Sequence, residues 1–358
     1  MLKAQRLQWH EVDELQGMCA PAQVIKEEDM ERDIDLLHFG MGKCMSTSLQ
    51  AMWRESAQVQ YVDTREMSWK LNRVLVDSVQ NEKPLPDFDL KLPPAQTATP
   101  VVVSNEEFTF SFTTAPNLAP LLPLKQKYLA QQLQGRAKRL LLIVRSPMAW
   151  IRSAHSQRIH QGGVESLGEY LEDLGPLVMN MTHLKNILGY WEGAWDRLTV
   201  VPMELFIQYP ERFWDIYVNE MGLPMPQDLS QMLGRNKANK AGIEVAAAVN
   251  KLLVYMTHLA TQHAPTPNHN NLITNAQIVS AMENTRLNGT YLAFNEANGD
   301  ELDAVKEFLH FEADPQFNQA KLSADMRQHL LDHFVAPLAD WPHMKEWIDA
   351  YREEVLNS

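Results

Sequence analysis

Hydrophobic residues along this chain gather in short dense runs, and between the runs they recur every three or four positions. The runs at 34–39, 59–63, 101–104, 140–144 and 198–202 have the length and composition of buried strands. Between them, Leu49, Met52, Trp53 and Ser56 fall at helical spacing, which predicts a helix from near Thr47 with Ser46 or Thr47 supplying its N-terminal hydroxyl. Strands alternating with helices predict an α/β fold with a parallel sheet flanked by helices. From about Ala241 the pattern becomes helical, with Ala246, Ala247, Ala248, Leu252 and Leu253 in one stretch and Leu330, Phe334 and Leu338 in a later one. Asn268 to Asn271 and Asn298-Gly299-Asp300 predict loops between those helices. Pro84, Pro86, Pro93, Pro94 and Pro100 predict an irregular connection over 81–100. The expected organisation is an N-terminal extension (1–33), an α/β core (34–235) and a helical C-terminal region (236–358) that completes the domain.

Ligands of such sheets bind beyond the carboxyl ends of the strands, so the turns that follow the strands carry the chemistry. The first run breaks into Gly40-Met41-Gly42-Lys43-Cys44-Met45-Ser46-Thr47-Ser48. Free amides and the dipole at the start of the next helix favour an anion there, Lys43 adds a full charge, and Ser46, Thr47 and Ser48 add hydroxyl donors. The loop is P-loop-like without matching G-x-x-x-x-G-K-[ST], because Cys44 follows the lysine. In the second turn Arg145 closes the run 140–144, Ser146-Pro147 reads as a helix entry, and Ser153 stands eight positions after the arginine. Arg145 can grip a phosphate with two parallel hydrogen bonds, or serve as a strand-end residue in a structural ion pair.

The two turns together resemble the sulfotransferase family that uses 3'-phosphoadenosine 5'-phosphosulfate (PAPS) as donor, in its soluble, bacterial-type, carbohydrate-like branch. Gly40, Lys43, Ser46, Thr47 and Leu49 occupy the places of that family's G-x-x-K-x-G-T-T-x-L loop, and Arg145 with Ser153 matches its Arg and Ser for the 3'-phosphate. The resemblance implies a donor site formed by Gly42, Lys43, Cys44, Met45, Ser46, Thr47, Ser48, Arg145 and Ser153, with Arg235, Asn236 and Lys237 as a flap over the 3'-phosphate. It also implies in-line sulfuryl transfer to a hydroxyl or amine of a carbohydrate or small metabolite, with no bound metal. Lys43 is then the catalytic cation, and Glu106, which follows the run 101–104, is the candidate base, with Glu107 as the register alternative. Met45 stands where the family has glycine, and a positive φ there would strain it. Glu204, after the run 198–202, reads as structural.

Composition narrows the partners. With 45 acidic and 32 basic residues the net charge is -13, which argues against a nucleic-acid protein. The two cysteines, Cys19 and Cys44, give no disulfide framework and point to a reducing compartment. No apolar run approaches the ~20 residues of a membrane span, so the expectation is a cytoplasmic enzyme with a small-molecule or saccharide acceptor, and a homo-oligomer is left open. His258, His263 and His269 are too irregularly placed for a metal site, and Trp341, Trp347 and Tyr351 read as a packed aromatic stripe or a carbohydrate platform. Two rival readings are a nucleotide or small-molecule kinase on a related phosphate-loop fold, and a non-catalytic nucleotide-binding module, which Met45 would favour.

Overall fold

The computed structural model describes residues 33–81, 83–85, 92, 99–106, 120–227, 242–262, 280 and 299–358. Its five strands grow from the five apolar runs: β1 (Ile34–His38), β2 (Gln60–Asp63), β3 (Val101–Ser104), β4 (Ala137–Val144) and β5 (Leu198–Pro202). All pair in parallel, in the order β2-β3-β1-β4-β5. Leu36, Leu37, Val102, Val103 and every residue from Leu140 to Val144 are fully buried, as expected of a sheet covered on both faces, and this is why the runs show no polar alternation. β4 starts at Ala137, ahead of its apolar run: Ala137 is buried opposite Ile34, and the exposed Lys138 is tied down by a carboxylate. Lys138 reaches the Asp35 carboxylate at 2.7 Å, and the second oxygen of Asp35 accepts the Val101 amide at 2.7 Å.

The crossovers and C-terminal region are helical: α1 (Ser46–Glu55), α2 (Arg65–Gln80), α3 (Leu121–Leu133), α4 (Pro147–His160), α5 (Leu167–Met181), α6 (Leu184–Tyr190), α7 (Met203–Gln208), α8 (Pro210–Asn219), α9 (Gly242–Gln262), α10 (Gly299–Phe308), α11 (Ala324–His329) and α12 (Ile348–Leu356). Gly299 and Asp300, expected in a loop, instead open α10. A π-helical turn, Leu330–Val335, continues from the end of α11. Among the described residues no helix is long and apolar enough to cross a membrane. Thus the fold is α/β, a P-loop-like parallel sheet flanked by helices with a helical C-terminal region.

Internal contacts divide the chain into two compact units, one of Met1–Trp150, Leu174–Arg235 and Leu322–Ser358, the other of Ile151–Asp173 and Asn236–Lys321. The first holds the sheet. Its C-terminal helix α12 buries Tyr351 (2% exposed) and Val355, and Trp347 just before it is 8% exposed, so these aromatics pack inside rather than offer a sugar platform. The second unit has its own small core of Ile159, Ala246, Ala247 and Phe317. There Asn250 donates to the carbonyls of Ile159 and Gly163 at 2.9 and 2.8 Å.

Strand order locates the crevice. After β1 the chain moves to β2 on one side of the sheet, whereas after β4, the immediate neighbour of β1, it moves to β5 on the other. Connections that leave adjacent strands in opposite directions open a cleft beyond their carboxyl ends. The loop with Lys43 and the turn with Arg145 follow those two strands.

Candidate functional site

The first turn needs glycine at its start. A Cβ on Gly40 would lie 2.6 Å from His38 Nε2 and 3.3 Å from the Ile143 amide nitrogen, so a side chain would push the loop off the sheet. Beyond it Lys43 (φ 66) and Met45 (φ 54) both take the left-handed conformation. Two such residues in a stretch of three curl the backbone so that successive amides can turn toward one concavity, the geometry of an anion nest. Met45 therefore adopts the positive φ that the glycine of the resembled motif would supply, and its side chain is buried at 6% exposure. Helix α1 begins at Ser46 with Met45 as N-cap and no side-chain cap, one residue earlier than the spacing predicts. The Ser46 hydroxyl is not free to cap because it donates to the Glu106 carboxylate.

Around this loop the side chains are sharply sorted. Cys44, Ser46 and Ser48 are buried, Lys43 is half-buried and Thr47 is exposed. The Gly42 carbonyl accepts from Trp150 Nε1 on α4 at 2.8 Å, which pins the loop from below. His38, fully buried at the end of β1, has Nδ1 at 2.8 Å from Ser104 Oγ, which also accepts from Gln50 Nε2 at 3.2 Å. Burial pushes the His38 imidazole down to about 3, so it stays neutral and cannot act as a cation toward a phosphate.

At the second turn, carboxylates of the chain take two backbone donors at the helix entry. The Ser146 amide donates to Glu204 Oε1 at 2.9 Å and the Met148 amide to Glu354 Oε2 at 3.3 Å, so carboxylates of the chain already occupy the start of α4. Glu204 Oε2 accepts from the Tyr351 hydroxyl at 2.6 Å. What remains for a ligand is the side chain of Arg145, half-buried and, among the described residues, in no ion pair with a carboxylate. Ser153 sits on α4, half-buried, within the second unit. Glu107, Arg235, Asn236 and Lys237 lie outside the described residues.

Electrostatics shows which groups share a neighbourhood. Burial holds the Lys43 ammonium below the ordinary lysine range; the Glu106 charge opposes that shift, and the Arg145 charge adds to it. The Cys44 thiol is pushed far up by burial, with Arg145, Glu204, Glu106 and Lys43 all close enough to act on it. It is therefore a protonated, inert thiol at neutral pH. Five residues from four separate segments thus converge on the end of β1. Sequence reasoning named Lys43, Cys44, Arg145 and Glu106, and read Glu204 as structural. It missed Trp150 and the role of Tyr351, whose partners are 108 and 147 residues away and leave no local pattern. Among the described residues no group of His, Cys, Asp and Glu is arranged to hold a metal ion.

No protein-family model matches this sequence, and no curated protein matches it either. Among solved structures the chain is similar to a sulfotransferase from Alicyclobacillus acidocaldarius, with 12% identity, a TM-score of 0.40, and coverage of 64% of this chain and 93% of that one.

Proposed function

We propose that this protein is a sulfotransferase that moves a sulfuryl group from PAPS to a hydroxyl or amine of a saccharide or small metabolite, and that it works as a soluble, cytoplasmic enzyme. The observation that carries the reading is the pairing of two half-buried cations, Lys43 and Arg145, on turns that follow adjacent strands, within reach of each other's charge and beside the Glu106 carboxylate. An adenosine phosphorylated at both ends of its ribose suits two cations so placed. Lys43 and the curled amides of its loop meet the 5'-phosphosulfate. Arg145 takes the 3'-phosphate.

In the reaction the acceptor oxygen bonds to sulfur while the bond from sulfur to the bridging oxygen breaks. The electron pair leaves on adenosine 3',5'-bisphosphate, and the acceptor proton passes to Glu106. Charge grows on the bridging oxygen, where the loop donors stabilise it. Burial of Lys43 lowers its pKa, which makes the ammonium a better proton donor to that oxygen than an exposed lysine would be. Before the donor arrives, Glu106 accepts from Ser46 at the head of α1. The incoming sulfonate replaces it there and frees the carboxylate for the acceptor.

Calorimetric titration with adenosine 3',5'-bisphosphate and with adenosine 5'-phosphate tests the reading. The bisphosphate is expected to bind about tenfold tighter or more, as one charge-assisted contact from Arg145 would give. Arg145→Ala is expected to erase that preference while leaving adenosine 5'-phosphate binding within about twofold. A parent protein that binds neither nucleotide would end the proposal.

A further inference from the structure

The C-terminal helix α12 sends two polar groups to the region where α4 begins: the Glu354 carboxylate accepts from the Met148 amide, and the Tyr351 hydroxyl donates to the carboxylate of Glu204. Tyr351 is 2% exposed, so its hydroxyl is not held there by water. Glu204 is half-buried, with one oxygen on the Ser146 amide and the other on Tyr351. The Ser146 amide belongs to the peptide plane that follows Arg145, so the residue that Glu204 grips is the immediate neighbour of the proposed phosphate arginine. The geometric link is therefore the Ser146 amide, one residue from Arg145, and the charges of Glu204 and Arg145 both reach the buried Cys44 thiol. A carboxylate beside a half-buried arginine would ordinarily form a bidentate pair with it. Here no such pair exists among the described residues.

We infer that Tyr351 is a positioning residue, which holds the Glu204 carboxylate on the Ser146 amide and off the Arg145 guanidinium, so that Arg145 stays available to an anionic ligand. The inference rests on the donor-site reading given above and adds a residue that neither phosphate turn contains. Tyrosine is required for its hydroxyl, because a phenylalanine would fill the same space and leave one Glu204 oxygen without a donor. That oxygen would then turn to the strongest nearby donor, the guanidinium, and the arginine would be neutralised before any phosphate arrived.

The test is the ratio of affinities for adenosine 3',5'-bisphosphate and adenosine 5'-phosphate, measured by calorimetry on the full chain. Tyr351→Phe is expected to lower that ratio about tenfold, the equivalent of one charge-assisted hydrogen bond. The double variant Tyr351→Phe with Glu204→Gln should recover it to within about threefold, since an uncharged amide cannot quench Arg145. A tyrosine that only filled the core would move both affinities alike and would not be rescued by removing a charge elsewhere. Glu204→Gln alone keeps an oxygen for the Ser146 amide and should bind with the parent's preference, and it serves where Tyr351→Phe does not fold. An unchanged ratio in Tyr351→Phe, a ratio not recovered in the double variant, or a lost preference in Glu204→Gln would each overturn the inference. If the parent itself shows no preference for the 3'-phosphorylated nucleotide, the donor reading fails, and the inference goes with it. A preference in the parent together with any of the three adverse results removes the inference alone.

Discussion

Met45 sets two physical demands against each other, and substituting it measures which is larger. Its left-handed backbone, φ 54 and ψ 11, costs a residue with a Cβ about 1–2 kcal/mol relative to glycine. Its side chain, 6% exposed, is part of the core beneath the loop. Deleting a buried methionine side chain costs about 2–5 kcal/mol in lost transfer energy and cavity. Met45→Ala discards the side chain and keeps the backbone cost, so it should destabilise by about 2–5 kcal/mol. Met45→Gly discards the same side chain and relieves the backbone, so its loss should be smaller by about 1 kcal/mol. The expected order of stability is parent, then glycine, then alanine, read from urea unfolding followed by tryptophan fluorescence. A glycine variant as stable as the parent would show that the methionine contributes no packing. An alanine variant more stable than the glycine one would show that the left-handed turn carries no strain. Either result refutes the argument that burial outweighs conformation at this position.

Lys43→Ala is expected to lower the rate of sulfuryl transfer about 100- to 1000-fold in a donor-turnover assay, with unfolding unchanged, and retention of more than about a tenth of the activity would show that the wrong loop has been assigned. A pH effect should arise where His183, His329 and His333 cluster with ring centroids 4.2 to 5.3 Å apart. Burial, and then the neighbouring imidazoles, push His183 and His329 down to about 4. The unfolded chain takes up these protons near pH 6.5, so their contribution to stability is complete above that value and is lost as pH falls toward 4. After discounting for partial exposure the loss is roughly 2–4 kcal/mol across that window. Urea midpoints at pH 7 and pH 5 should therefore differ less in His329→Gln than in the parent, and an equal difference would assign the acid sensitivity elsewhere.

Much of the sheet was legible because a parallel strand buried on both faces has to be written in consecutive apolar residues, as Leu140 to Val144 are. The first three residues of β4 escaped notice, since Lys138 joins the strand through Asp35 rather than through burial. The residue types of the first loop pointed to an anion, and the structure brings Lys43, Cys44 and Arg145 into one electrostatic neighbourhood with Glu106. Its detailed geometry was not legible: nothing in the local sequence says that Ser46 lies inside the helix and turns its hydroxyl to a carboxylate 60 residues on. The second turn was less legible still. Ser146 and Pro147 announce a helix start correctly, yet the occupation of that start by Glu204 depends on β5 pairing beside β4, and that by Glu354 on where α12 lands, and long-range placement has no periodic signature. The same holds for the π-helical turn at Leu330–Val335, where Leu330 and Phe334 keep the i, i+4 spacing of an ordinary helix.

The separation between the Lys43 loop and Arg145 is not set by any side chain in the cleft. Both segments continue directly from strands whose register is locked by backbone hydrogen bonds, with Leu37 opposite Leu140 and His38 opposite Leu141. Sliding one strand by a single residue would change the span by about 3.3 Å, beyond the tolerance of a hydrogen bond, and would turn the alternate side chains to the wrong face. The lattice of the sheet therefore acts as a caliper of fixed opening. If the proposed donor spans these two turns, substitutions lining the cleft would retune which molecule is welcomed without altering the length that it must have.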